Sequence, residues 1–164
     1  MVTFAGIDLA ALTVTDLDRS QRFYEEVLGF TPLLDLGYGR LTMHAGTGFT
    51  LALLRPDGAH GGEFSELATG LDHLGLDAAS REELEEGERV LAAHDVPYTP
   101  IRDMQFGHHL NFRDPDGIAL ELQAPSEMYA AALDRMRTQR LSNEEVLAAA
   151  EQMLGADLVP RRAR

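Results

Sequence analysis

Apolar and polar positions along this chain change period several times, and each change predicts an element. "DLAALTVTD" (8–16) carries strand-forming residues, whereas "DLDRSQRFYEEVLGF" (16–30) sets Phe23, Val27 and Phe30 at helical spacing. Asp16 or Asp18 can cap that helix at its start, and Gly29 is placed to end it. Three short strands are predicted around 31–36, 40–45 and 48–54, separated by the turn signals "GYG" and "GTG". After a polar, Gly-rich linker, "RPDGAHGGEFSELATG", that could cover a cleft, the same order returns. A strand at 72–77 precedes "SREELEEGERVLAAHD", where Ser80 opens a capping box with Glu83 and Leu84, Val90 and Leu91 share one side. Strands are expected near 96–102, 107–113 and 118–123. Beyond Pro125 the period is helical throughout: "SEMYAAALDRMRTQR" and "SNEEVLAAAEQMLG" read as two helices, the second with a Ser142/Glu145 capping box. Their Ala, Leu and Met stripes read as packing surface or subunit contact.

The recurrence is also visible residue by residue. "GIDLAAL" (6–12) matches "GLDHLGL" (70–76), and "GFTLALLRP" (48–56) matches "GIALELQAP" (117–125), with Gly, Leu, Leu and Pro at equal spacing in the second pair. At two of the matched places the halves differ in chemistry: Leu9 stands opposite His73, and Ala52 opposite Glu121. The expected fold is therefore α+β, two βαβββ modules (about 1–56 and 68–125) with curved mixed sheets around a cleft. Residues 126–164 form a helical extension to a domain of 1–125.

A chain of 164 residues can bury one good core and is too short for two full domains and a linker. Its net charge of −13, from 27 acidic and 14 basic residues, repels nucleic acid and anionic membranes. It suits solubility, or a cleft that attracts cations. No apolar run approaches the roughly 18 residues a membrane helix needs, and the first residues lack a basic and then apolar leader, so a cytoplasmic protein is expected. The absence of cysteine removes disulfides, thiolate metal sites and cysteine nucleophiles, leaving His, Asp and Glu as ligands.

"LTVTDLDRSQRFYEEVLGF" followed by "FRDPDGIALEL" resembles the vicinal oxygen chelate superfamily, which includes glyoxalase I, bleomycin-resistance and fosfomycin-resistance proteins and extradiol dioxygenases. The resemblance covers residues 6–125 and leaves the two C-terminal helices unexplained. It implies ligands for a divalent metal (Zn, Ni, Mn or Fe) on the first and last strands of the modules, at the positions occupied here by Leu9, Ala52, His73 and Glu121. His73 and Glu121 keep that chemistry; Leu9 and Ala52 do not. By strand alternation, Leu120 and Leu122 face the helices while Glu121 faces the cleft, and Leu74 and Leu76 do so while His73 faces it.

A catalytic metal wants three protein ligands and an open position, so this set is incomplete. His109 is a candidate third ligand: if Phe112 packs under the sheet, His109 and Asn111 share the parity of the cleft. The favoured reading of the His108–His109 pair, ahead of ligation, is a loop or strand edge with one ring exposed. Aspartates 114 and 116 in "RDPDG" read as a tight turn whose side chains bond the backbone, not as an acid/base pair. His44, His60 and His94 are expected to face solvent. The remaining lining is expected from Leu9, Tyr38, Met43, Ala52, Leu54, Met104 and Phe106, an apolar and aromatic wall. The readings left open are a homodimeric small-molecule binder, a metalloenzyme using His73 and Glu121, and a metal-free enzyme with Glu121 as general base.

Overall fold

The structure is a computed structural model and describes residues 5–139, 141–155, 157 and 159. The first module runs β1 (Leu9–Thr13), α1 (Leu17–Glu26), β2 (Phe30–Asp35), β3 (Gly39–His44) and β4 (Thr50–Leu54). The second runs β5 (Leu74–Asp77), α2 (Arg81–Ala93), β6 (Arg102–Met104), β7 (Gly107–Arg113) and β8 (Ala119–Pro125), and is followed by α3 (Glu127–Thr138) and α4 (Asn143–Leu154). Each module makes a four-stranded sheet of the same order, β1-β4-β3-β2 and β5-β8-β7-β6. In each, the first strand pairs in parallel with the last and the other pairs are antiparallel, so the sheets are mixed as expected. No described helix is long and apolar enough to cross a membrane.

Alternation decides which face each helix covers. Leu51 and Leu53 are fully buried on β4, and α1 answers with Ser20, Phe23 and Tyr24 at three- and four-residue spacing. In the second module α2 lies so close to the sheet that a methyl group at Gly87 would come within 3.0 Å of Leu122 and 3.2 Å of Leu110. Leu110, Phe112 and Leu120 are buried with Leu84 and Leu91 in a core that is continuous with that of the first module. Asp16 caps α1, its carboxylate accepting from the N–H groups of Asp18 and Arg19 at 3.0 Å each, and these bonds hold it below the usual carboxylate range. Asp18 instead pairs with Arg40. Gly29 takes a left-handed φ of 71° while its N–H reaches Glu25 O, which closes the helix end.

Two expectations need correction. The strand expected at 96–102 is reduced to one bridge, Tyr98 with Phe112, and regular pairing starts only at Arg102. Pro97 and Pro100 have no N–H to give, so a continuous ladder cannot form between them. In the Ser80 box, Ser80 Oγ accepts from Glu83 N–H, but the Glu83 carboxylate returns to Ala79 N–H, one residue earlier. The Ser142/Glu145 box is complete.

The "DPDG" turn between β7 and β8 is a turn, and it also joins the modules. Asp114 Oδ1 accepts from the N–H groups of Asp116 (2.9 Å) and Ile118 (2.8 Å), while Oδ2 accepts from Tyr24 OH at 3.1 Å. Asp116 reaches the start of α1, accepting from Thr15 N–H at 3.1 Å and Arg19 Nη2 at 2.8 Å, and it also meets the Thr15 hydroxyl. Burial pushes the Asp114 carboxyl above its ordinary value, against the bonds it accepts. Burial, and then the charge of Asp114, push the Tyr24 phenol far above its own. The linker packs over the same turn through a Glu66–Arg113 ion pair and the Phe64 ring, 5.6 Å from the Arg113 guanidinium.

Two outcomes are expected. Asp116→Ala leaves the donors of Thr15 and Arg19 without their acceptor and should lower stability by about 2 kcal/mol in urea unfolding; an unchanged midpoint would remove the turn from the account. Tyr24 has a folded pKa above its unfolded value, so its contribution is whole below the ordinary tyrosine pKa of 10.0 and is lost as pH rises past it. The parent should therefore lose stability between pH ~9 and ~11 more steeply than Tyr24→Phe, measured by unfolding at each pH.

Candidate functional site

On the face of the second sheet turned away from α2, side chains fall into cross-strand rows. Asn111, Glu121 and Gly75 share one row; His109, Gln123 and Asp77 share the next. His73 sits just before β5 on the same parity. Leu110, Phe112, Leu120 and Leu122 occupy the opposite face, so the apolar packing that seats α2 also turns Glu121, His109 and Asn111 away from it.

Within these rows Glu121 is almost buried, its side chain 11% exposed, and both its oxygens meet imidazoles. His109 Nδ1 lies 2.7 Å from Oε1, a diagonal contact across β7 and β8, and must carry the proton because an ionised carboxylate only accepts. His73 Nε2 lies 3.4 Å from Oε2, and His73 Nδ1 lies 2.6 Å from Asp72 Oδ1. Gly75, beside Glu121 in the parallel pair, has no side chain to separate them; a methyl there would already be 4.0 Å from both Glu121 Oε2 and His73 Cδ2. The result is a chain of contacts, Asp72 to His73 to Glu121 to His109. With Nδ1 committed to Asp72, a neutral His73 ring turns a lone pair toward Oε2, and a proton on His73 makes that contact attractive.

The other residues singled out by the sequence lie elsewhere. Leu9 and Ala52 are on β1 and β4 of the first sheet, whose strands do not pack on those of the second. Leu54 is half-buried on β4 against Gly39, Met43 is half-buried on β3, and Met104 and Tyr38 are exposed. Phe106 packs against Tyr129 of α3 at 5.5 Å. His108 is parted from His109 by the alternation of β7 and bonds Asp103 at 2.7 Å, a contact that, with Arg81, holds the Asp103 carboxyl below its ordinary range. His60 and His94 are exposed, whereas His44 is half-buried, its ring 5.7 Å from that of Phe30. Asp72 went unremarked in the sequence because an acid next to a histidine has no periodicity to flag it.

As a metal centre the set does not fit. Glu121 and His73 supply two donors, His109 spends Nδ1 on Glu121 and keeps only Nε2 for an ion, and no group of three or more His, Asp or Glu among the described residues is arranged around a common ion position. If the chain of contacts is intact, Glu121→Gln should move the His109 Nδ1–H resonance upfield in proton NMR while leaving the fold in place, because the charged acceptor becomes neutral and the volume is kept. A resonance that does not move would break the chain at that link.

The sequence matches the Glyoxalase/Bleomycin resistance protein/Dioxygenase superfamily over residues 6–122. A glyoxylase/bleomycin resistance protein/dioxygenase domain from Frankia sp. EAN1pec is 34% identical, with 76% of this chain and 95% of that one covered, and superposes with a TM-score of 0.70. The fosfomycin resistance protein FosX from Listeria monocytogenes shares the fold at 19% identity, covering 79% of this chain and 98% of its own, with a TM-score of 0.64. A mutant of that FosX has been solved with Mn(II) and 1S,2S-dihydroxypropylphosphonic acid. No curated protein matches the sequence.

Proposed function

Since the chain belongs to the glyoxalase/bleomycin resistance protein/dioxygenase superfamily, we propose that it is a small-molecule-binding protein of the bleomycin-resistance type, which sequesters a hydrophobic or cationic ligand without converting it. One observation carries this reading: Glu121 Oε1 is bonded by His109 at 2.7 Å, which orients the carboxylate from its own sheet and leaves Oε2, with His73 Nε2 3.4 Å away, to accept from a ligand. The first-module positions, Leu9 and Ala52, bring no donor. The face that remains offers hydrogen bonds from His109, Asn111 and Gln123 in a protein with net charge −13, a setting that favours cations. We assign the ligand-facing roles to His73, His109, Asn111 and Glu121. A homodimer, in which the apolar first-module face with Leu9, Ala52 and Tyr38 serves the same ligand, belongs to this proposal.

A divalent-metal enzyme is the second reading, favoured by the facing pair of His73 Nε2 and Glu121 Oε2 and by the Mn(II) bound to the FosX mutant. In that reading a partner subunit would have to complete the ligand set. Metal analysis of protein purified without an affinity tag separates the two, because stoichiometric Mn, Fe, Ni or Zn would overturn the binder.

A thermal-shift ligand screen, then dissociation constants for the parent and Glu121→Gln, tests the binder itself. Loss of one charge-assisted hydrogen bond, roughly 1.5–3 kcal/mol, should weaken binding about tenfold to a hundredfold without abolishing it. Mass spectrometry should recover the ligand unaltered, and a converted ligand would refute the proposal.

A further inference from the structure

The two C-terminal helices are not accounted for by the repeat, and the family match stops at residue 122, before them. They bury no residue fully, so they owe their position to a few contacts. Three of these place α3. At its start Ser126 N–H donates to Phe106 O at 2.8 Å, and the Tyr129 ring packs against Phe106, in the turn that enters β7. At its end Arg137 Nη1 lies 3.8 Å from Asp77 Oδ2, on β5. The strand with which α3 makes its contacts is β8, which it directly follows in the chain.

The dimensions agree with a helix laid across three strands. From Tyr129 to Arg137 an α-helix rises about 12 Å. From β7 across β8 to β5 is two strand spacings, about 10 Å. Tyr129, Leu133 and Arg137 follow one another at four-residue steps, so they share one side of α3, with Leu133 midway between the two anchors. Leu133 is half-buried. Asp77 belongs to the row of His109 and Gln123, which adjoins the row of Glu121, and by alternation shares their face.

We infer that α3 is a wall of the ligand-binding face on the second module, standing at the row of His109, Gln123 and Asp77, with Leu133 as its apolar contact. The inference rests on the proposed binding role of that face. It narrows the ligand class to an amphipathic small molecule: a polar end is held by Glu121, His109 and Asn111, and an apolar body lies against α3. Access to His109 is then governed by α3, whose shallow packing lets it open at little cost.

The test uses the full chain and needs no ligand. Tyr129→Ala removes the ring contact with Phe106, and Arg137→Ala removes the pair with Asp77; neither residue is in the core. Release of α3 is followed by amide hydrogen exchange across residues 127–138. Access is followed by diethylpyrocarbonate labelling of each histidine, mapped by mass spectrometry. In the double variant, exchange in α3 should quicken and labelling of His109 should rise about tenfold, with the exposed His60 and His94 unchanged. Faster exchange in α3 with no change at His109 overturns the wall. No change in either readout overturns it too, since Phe106 and Asp77 would then not hold the helix. Ligand binding is absent from this measurement, so a failed ligand screen with exposed His109 would sink the binder reading and leave the wall standing.

Discussion

Two carboxylates in one short turn set the relation between the halves of this protein. Asp114 folds the turn on itself through the N–H groups of Asp116 and Ile118, and reaches out to Tyr24. Asp116 is spent wholly on the start of α1. A buried carboxylate without such partners would be costly, so the turn holds only while the first module is in place to satisfy it. β8 starts immediately after the turn, and its first residues thereby have a fixed position and parity. Burying Leu120 and Leu122 under α2 then leaves Glu121 facing the other way.

The candidate site follows from that parity and from an omission. Gly75 lies beside Glu121 and adds no side chain to the row, and His73 approaches the carboxylate from just before the strand. His109 arrives diagonally from β7, one row away. Glu121 is oriented through Oε1 by His109, and its Oε2 faces His73 Nε2 at 3.4 Å. In the binder we propose, Oε2 is the oxygen left to accept from a ligand, and the apolar Leu9 and Ala52 add no polar group beside it.

Much of this was legible along the chain. The doubled order of elements, a cap for α1 at Asp16 or Asp18, the cap at Ser142 and the turn at 114–117 all rest on local signals: periodicity, side chains that bond their own backbone, and glycines that take a left-handed φ. The parity of His73, His109, Asn111 and Glu121 was legible for the same reason, because alternation is a property of the strand alone. The strand expected at 96–102 does not form because Pro97 and Pro100 each remove a ladder donor, which its apolar residues cannot replace.

What the sequence determined by itself is which side chains share a face, since that needs only the two-residue period of a strand and the burial of its leucines. It did not determine distances across strands. Register between β7 and β8, the contact of Asp72 with His73, the split of His108 from His109 toward different partners and the crossing of α3 from Phe106 to Asp77 all depend on how separate segments are stacked. Those contacts join residues far apart in the chain, or neighbours whose rotamers are chosen by surroundings that exist only once the sheets and helices have packed.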